Sequence, residues 1–411
     1  MWWRGIRQWT RRVLLGFFGA QLGTMLVLLL IDNHRKRDRK PVVFPKSPPV
    51  PVTAGGSKLT VYTYGQDLYT DMLAAIDSAQ DHIYLESFIF KGDRTGREFR
   101  RALLRAAQRG VEVYVVVDEF ANLVVPRRFY RFGGDRVHVL KHPLVFPTWD
   151  FLHPRNTGRN HRKLLIVDAK VGFIGGYNIG SLYATDWRDT HCRVTGEAVG
   201  ELENAFVDYW NLVVGRNRHE LESIAPRSWY SPIKVHRNVP RQLVYPIRYM
   251  YLEAIDRATE RIWMTHAYLI PDEDMVHALT EAARRGVDVR IIVPERSNHI
   301  VADWISRGYY RALLSGGVRL FLYQGAMVHA KTALIDDAWS TVGTANLDNL
   351  SLIGNYEVNL EVTDADMNSK MAEVFELDLT NCRELTLEEW VRRPLMVKFS
   401  EALLKPLGPL F

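Results

Sequence analysis

The chain has 411 residues, 47% of them hydrophobic, enough to bury one large or two medium cores. Its net charge of +6 invites a polyanionic partner, but residues 1–40 hold nine Lys/Arg against two Asp, and the remainder holds 44 basic against 45 acidic side chains. The near-neutral body excludes a global electrostatic argument for nucleic acid, and two cysteines, Cys192 and Cys382, exclude a disulfide framework.

In chain order, residues 1–40 are expected to form an N-terminal membrane anchor. Val13 to Ile31 is nineteen residues without a formal charge, about 28 Å long as a helix, against a hydrocarbon core of about 30 Å. Trp2, Trp3 and Trp9 precede it, Arg11 and Arg12 bound one end, and DNHRKRDRK bounds the other. The length of the run and the lack of a small-x-small cleavage site favour an uncleaved anchor over a signal peptide. Four arginines precede the span and five Lys/Arg follow it, so the positive-inside rule barely separates the orientations; the body is assigned to the cytoplasmic face. Residues 41–58, with PVVFPKSPPVPVTAGGS, read as a stiff Pro-rich linker.

From residue 59 the chain repeats itself. AAIDSAQDHIYLESFIF (Ala74–Phe90) resembles EAIDRATERIWMTHAYLI (Glu253–Ile270), and ALLRAAQRGVEVYVVV (Ala102–Val117) resembles ALTEAARRGVDVRIIV (Ala278–Val293). In each copy a helical pattern stops at Gly110 or Gly286 and a β-branched strand follows. The order helix, strand, helix, strand predicts an α/β fold, duplicated over residues 59–215 and 244–385, with 216–243 as a linker. The tail, 386–411, places Leu395, Phe399 and Leu403 on one helical stripe, expected to lie on the bilayer surface or to pack on the body.

Each copy then carries the same polar constellation. Counted from His161 or His329, a lysine follows at +2 (Lys163, Lys331), an aspartate at +7 (Asp168, Asp336), and a glycine at +14 (Gly175, Gly343). An asparagine follows at +17 (Asn178, Asn346) and a carboxylate at +28 (Asp189, Glu357). A single H-x-K means little. Two copies agreeing at these offsets, in drifted apolar filler, mark function, because a merely duplicated core would preserve apolar positions instead. On a strand, residues i and i+2 share a face, so each histidine sits with its lysine at the polar mouth of an apolar strand. The glycines are expected where a ligand or second backbone approaches closely.

Lysine and asparagine are donors suited to phosphate oxygens, which makes Lys163, Lys331, Asn178 and Asn346 the expected phosphate-binding set. Two histidines in one phosphate pocket suggest a nucleophile and a general acid/base. Asp189 and Glu357 are the candidates to orient them through Nδ1. The histidines lack H-E-x-x-H, paired Cys-x-x-Cys or a bracketing acidic cluster, and each has a lysine beside it, so no metal is expected. No Walker-type loop and no other cofactor signature is visible.

At these residues the sequence resembles the phospholipase D superfamily, whose signature is H-x-K-x4-D-x6-G-[GS]-x-N; Thr344 stands where Gly or Ser is usual. WRDTHCRVTG (Trp187–Gly196), VGTANLDNLSL (Val342–Leu352) and HAYLIPD resemble the bacterial cardiolipin synthase group. The resemblance implies two phospholipase D-like domains, β-sheets flanked by helices, with one active site at their interface. It implies a bacterial plasma-membrane enzyme that transfers a phosphatidyl group between two phosphatidylglycerol molecules through a phosphohistidine, giving cardiolipin and glycerol. The family pattern makes His161 the nucleophile and His329 the acid/base, and counts Asp168 and Asp336 among the catalytic motif, in a supporting structural role. Phosphatidylethanolamine remains a possible donor, the oligomeric state is open, and phospholipid hydrolysis, a nuclease and a non-catalytic tethered protein remain alternatives. The basic, aromatic stretch Arg127–Arg159 is expected to contact lipid through Phe146, Trp149 and Phe151, or else to be an ordinary packed loop.

Overall fold

The computed structural model describes residues 2–35, 43–144, 156–214, 220–222 and 230–411. After helix α1 (Trp2–Arg35), the first half runs β1 (Pro51–Ala54), β2 (Ser57–Tyr62), α2 (Gly65–Ser78), β3 (His82–Ser87), α3 (Arg94–Gln108), β4 (Glu112–Asp118), β5 (Val137–His142), β6 (Lys163–Val167), β7 (Val171–Gly175), α4 (Ser181–Thr185), β8 (Trp187–Arg188), β9 (His191–Thr195) and α5 (Val199–Val213). The second runs β10 (Ile233–Asn238), α6 (Pro246–Arg257), β11 (Arg261–His266), β12 (Leu269–Ile270), α7 (Glu273–Arg284), β13 (Asp288–Pro294), α8 (Ile300–Ser315), β14 (Arg319–Tyr323), β15 (Met327–Val328), β16 (Lys331–Ile335), β17 (Trp339–Gly343), β18 (Leu347–Asp348), β19 (Glu357–Thr363), α9 (Ala365–Leu379) and β20 (Cys382–Leu385). Helices α10 (Leu387–Val391) and α11 (Leu395–Leu404) follow.

Each half builds one eight-stranded sheet, in the orders β1-β2-β9-β7-β6-β3-β4-β5 and β10-β19-β17-β16-β11-β13-β14-β20. Seven consecutive strands correspond, β2 through β5 with β10 through β14, so the duplication read from the sequence is a structural one. Local chemistry repeats too. Asp93 caps α3 by accepting from Gly96 N–H at 3.0 Å, and Asp272 caps α7 through Met275 N–H at 2.8 Å. Both helices are followed by a left-handed glycine, Gly110 at φ 101° and Gly286 at φ 95°. Phe99, Ala102, Leu103 and Ala106 form the buried stripe of α3. Outer cores pack α2 and α3 on the first sheet and α6 and α7 on the second. A central core joins both halves through α5 and α9.

Two segments expected as linkers carry strands. Pro51–Ala54, inside the expected linker 41–58, is an edge strand paired with β2. Ile233–Asn238, inside the expected linker 216–243, pairs with β19 from Val362 to Glu357. Both segments were obscured by the polar or proline-rich character that an edge strand tolerates. In the tail stripe, Leu403 is buried while Leu395 and Phe399 are exposed, so α11 packs on the body by one face only.

Among the described residues no helix is long and apolar enough to cross a membrane, so the span expected over 13–31 is not supported there. One face of α1 lies on the body. Gln21 is buried and donates to the Leu403 carbonyl at 2.9 Å, and Leu28 packs with Ile270, Ile300, Ile305 and Leu404.

The halves are locked by a buried, two-pronged ion pair. Arg188 Nε and Nη2 donate to the Asp378 carboxylate at 2.8 and 2.5 Å, and both residues are buried. Removing one partner strands the other charge, so Asp378→Ala is expected to destabilise the protein by about 3–5 kcal/mol, read as a lower urea midpoint. The apolar double replacement Arg188→Met/Asp378→Leu is expected to recover most of that loss.

Candidate active site

The strands β6 and β16 are fully buried, and His161 and His329 stand two residues ahead of their first lysines, where each chain emerges. Short inter-half pairings hold these emerging segments. His161 N–H donates to the Tyr356 carbonyl at 3.0 Å and Tyr356 N–H to the Arg159 carbonyl at 2.9 Å. In the mirror arrangement, β15 pairs in parallel with β8, and His329 N–H donates to the Arg188 carbonyl at 2.7 Å. Each histidine is thus bonded to the residue just before the other half's +28 carboxylate.

The consequence is an exchange of partners. Glu357 reaches His161, with both carboxylate oxygens 3.0 Å from Nδ1. Asp189 reaches His329 Nδ1 at 2.6 Å. With Nδ1 engaged on both rings, Nε2 is the nitrogen left for chemistry. Both histidines line one cavity of about 940 Å³, together with Asn178, Asn346, Phe88 and Trp187. Phe88 meets the His161 ring edge-on at 4.9 Å between centroids, and Trp187 lies 5.0 Å from that of His329.

The lysines back the site. Lys163 Nζ donates to the His161 carbonyl at 2.5 Å. Lys331 Nζ contacts the His329 carbonyl and lies 2.9 Å from its Nδ1. Burial lowers Lys163 to about 7 and Lys331 to about 8. Burial, reinforced by these two ammonium groups, holds both imidazoles well below their ordinary value. Burial likewise raises Asp189, and raises Glu357 to about 8 against the pull of Lys163 and Thr344. Two lysines and two carboxylates thus share one buried site in which burial penalises the charged form of each.

Gly176 and Thr344 occupy the same offset and serve the carboxylates differently. A Cβ at Gly176 would stand 2.0 Å from Asp189 Oδ1, so the glycine lets that carboxylate lie against the backbone. Thr344, the departure from the usual motif, donates through its hydroxyl to Glu357 at 2.5 Å. Likewise a Cβ at Gly175 would meet the Thr190 carbonyl at 2.4 Å, and one at Gly343 would meet Asn359 Oδ1 at 2.1 Å. The close approach that the glycines permit is therefore by carboxylates and the neighbouring strands β9 and β19, not by a ligand.

Asp168 and Asp336, expected within the motif in a supporting structural role, sit away from the histidines. They lie past the far ends of β6 and β16 and do not line the cavity. Asp168 accepts from the backbone N–H groups of Gln80, Asp81 and His82 at 2.8–3.0 Å. Asp336 does the same for Thr259, Glu260 and Arg261. Each ties a helix–strand turn in place from a left-handed backbone position, φ 53° and 48°. The contacts expected at Phe146, Trp149 and Phe151 lie outside the described residues. Cavity residues that the offsets did not single out include Tyr268, Asn298, His299 and Asp348. Two of them had a signal: Tyr268 lies in the HAYLIPD stretch, and at +19 the copies differ, Gly180 in the first and Asp348 in the second.

Two half-sites that complete one another across a pseudo-twofold interface define a phospholipase D-like phosphodiester enzyme. The chain belongs to the cardiolipin synthase family within that class: the family model described as "Cardiolipin synthase, PLD-like domain" matches residues 72–210 and 251–379. It is 33% identical over 405 residues to the major cardiolipin synthase ClsA of Bacillus subtilis (strain 168), covering 94% of this chain and 79% of that protein. It is also 33% identical over 370 residues to cardiolipin synthase 1 of Staphylococcus aureus (strain COL), covering 86% and 74%. The phosphatidylserine synthase of Haemophilus influenzae Rd KW20 shares the fold, with a TM-score of 0.68 at 13% identity over 89% of this chain and 94% of that one.

Proposed function

We propose that the protein is a cardiolipin synthase that moves a phosphatidyl group from one phosphatidylglycerol to another. The observation that carries the mechanism is the exchanged pairing of His161 with Glu357 and His329 with Asp189, which leaves two Nε2 atoms at one cavity. In the first half-reaction His161 Nε2 attacks phosphorus, the bond to the glycerol oxygen breaks, and His329 gives that oxygen its proton. In the second, a hydroxyl of the next phosphatidylglycerol loses its proton to His329 and attacks phosphorus, and the P–N bond breaks. Diester is exchanged for diester, so no nucleotide is needed.

Lys163, Lys331 and the amides of Asn178 and Asn346 serve the phosphate oxygens. The phosphate anion in turn offsets the two lysine charges and allows His329 to hold its proton. Residues 15–31 of α1 carry no formal charge, and Leu15, Phe18, Leu22, Leu26 and Leu30 are exposed. Leu395, Met396 and Phe399 are exposed on α11. These faces support attachment to the bacterial plasma membrane through α1, next to the lipid substrate.

The test is product analysis with headgroup-labelled and acyl-labelled phosphatidylglycerol. Cardiolipin and free glycerol in equal amounts are expected; phosphatidic acid as the main product makes the chain a hydrolase instead. The same assay run from pH 6 to 9 is expected to show kcat/KM falling as pH rises through about 7 to 8. The sign follows from the lysines, which are cationic below Lys163's value of about 7 and Lys331's of about 8 and lose their charge above them; Glu357 ionises near 8 and opposes the fall, so the profile is read beside that of Glu357→Gln, where the lysines act alone. A flat profile to pH 9 in that variant contradicts their role in binding the phosphate.

A further inference from the structure

The two half-sites agree at the offsets named above and differ immediately beside them. His161 is flanked by Asn160 and Arg162, but His329 by Val328 and Ala330. The sheet registers match Glu86 of β3, opposite Leu164, with Thr265 of β11, opposite Thr332. Asp118, the last residue of β4, matches Pro294, the last of β13. Four charged or amide side chains thus surround the first histidine's strand where the second half has Thr, Pro, Val and Ala. None of the four is more than 2% exposed.

They form one network. Asn160 N–H donates to Asp118 Oδ2 at 3.0 Å, and its side-chain amide donates to Glu86 Oε1 at 2.7 Å. Asn160 Oδ1 accepts from Arg162 N–H at 3.2 Å. Arg162 Nη2 donates to the Ala205 carbonyl of α5 at 2.7 Å and stands 3.3 Å from Glu86 Oε2. Its guanidinium lies 5.0 Å from the centre of the Tyr209 ring. Three elements, β3, β4 and α5, therefore grip the residues on both sides of His161 from behind, and none of the four lines the cavity. Stability alone does not call for such a network, because apolar residues fill a buried site as well or better. The second half builds the equivalent strand with them.

We propose that Glu86, Asp118, Asn160 and Arg162 are positioning residues that hold His161 in line with phosphorus and so make the first histidine the nucleophile. This rests on the phosphatidyltransferase reading above and adds what distinguishes its two histidines. Misplacing a reacting atom by about 1 Å costs about 10²-fold, whereas a proton can pass through one water. The attacking ring is the one that needs a rigid mount.

The test is the p-nitrophenol burst of the full chain on an activated donor, phosphatidyl-p-nitrophenol. Its leaving group needs no acid, so the burst rate reports on the nucleophile and the amplitude counts folded sites. Glu86→Gln keeps an oxygen for Asn160 and removes the charge beside Arg162. Glu86→Thr/Asn160→Val/Arg162→Ala copies the second half and removes both charges of the ion pair together. In both, the burst rate is expected to fall about 10²-fold, with the amplitude kept and KM for phosphatidylglycerol little changed. Thr265→Val, at the matching position of the second half, is expected to leave the burst unchanged. A normal rate with reduced amplitude makes the network a prop of the fold, and a normal burst with slow turnover on phosphatidylglycerol puts it behind the acid/base; either overturns the proposal. A wild-type chain that shows the burst but yields phosphatidic acid in place of cardiolipin refutes the transferase reading and leaves the comparison of burst rates intact.

Discussion

His161→Asn is expected to lower turnover by about 10⁴-fold or more and to remove all covalent labelling of the chain by acyl-labelled phosphatidylglycerol. Without Nε2 there is no atom to form the P–N bond, and the residual rate comes from binding and electrostatics alone. The comparison that assigns the roles is His329→Gln, which loses a comparable amount on phosphatidylglycerol for a different reason: the glycerol oxygen must leave without a proton. With an activated donor, phosphatidyl-p-nitrophenol, the leaving group needs no acid. His329→Gln is therefore expected to recover its p-nitrophenol burst and to accumulate an acid-labile, alkali-stable phosphoenzyme. His161→Asn is expected to recover neither. The reverse pattern gives the nucleophile to His329.

Glu357→Gln is expected to cost about 10³–10⁴ in kcat, the scale seen when a histidine's orienting carboxylate becomes an amide. Glu357 accepts from Thr344 Oγ1 at 2.5 Å and meets His161 Nδ1 at 3.0 Å. A glutamine that keeps accepting from Thr344 turns its NH₂ toward Nδ1. That favours the tautomer with the proton on Nε2, where the lone pair is needed. The defect should follow His161: the activated donor does not rescue it. Asp189→Asn disturbs His329 through the 2.6 Å contact and should be rescued. This crossed pattern, with each carboxylate reporting on the histidine of the other half, follows only from exchanged pairing. If Asp189→Asn behaves like His161→Asn, the pairing drawn here is wrong in the working enzyme.

Much of the site is visible in the chain because its chemistry is written twice. The offsets linking His161 to Lys163, Asn178 and Asp189 recur from His329, and the apolar runs LLIV and TALI mark the strands that carry them. Those features are local. A strand's alternation, a helix's stripe and a glycine after its last turn depend on neighbours a few residues away, so sequence spacing reports them directly. What Asp168 and Asp336 support was not legible for a related reason. Spacing shows that a residue is retained in both copies, not whether it is kept for phosphorus or for three backbone N–H groups of a distant turn.

What sequence by itself determined, then, is a duplicated α/β body with two histidine–lysine half-sites suited to a phosphodiester. Only the tertiary structure decided which carboxylate orients which histidine, across 196 residues for Glu357 and 140 for Asp189. It also decided that β1 and β10 belong to the sheets, and that Glu86 and Asp118 meet the residues flanking His161. These are contacts between segments far apart in the chain. They depend on how two sheets settle against each other around α5 and α9, and no local period encodes that packing.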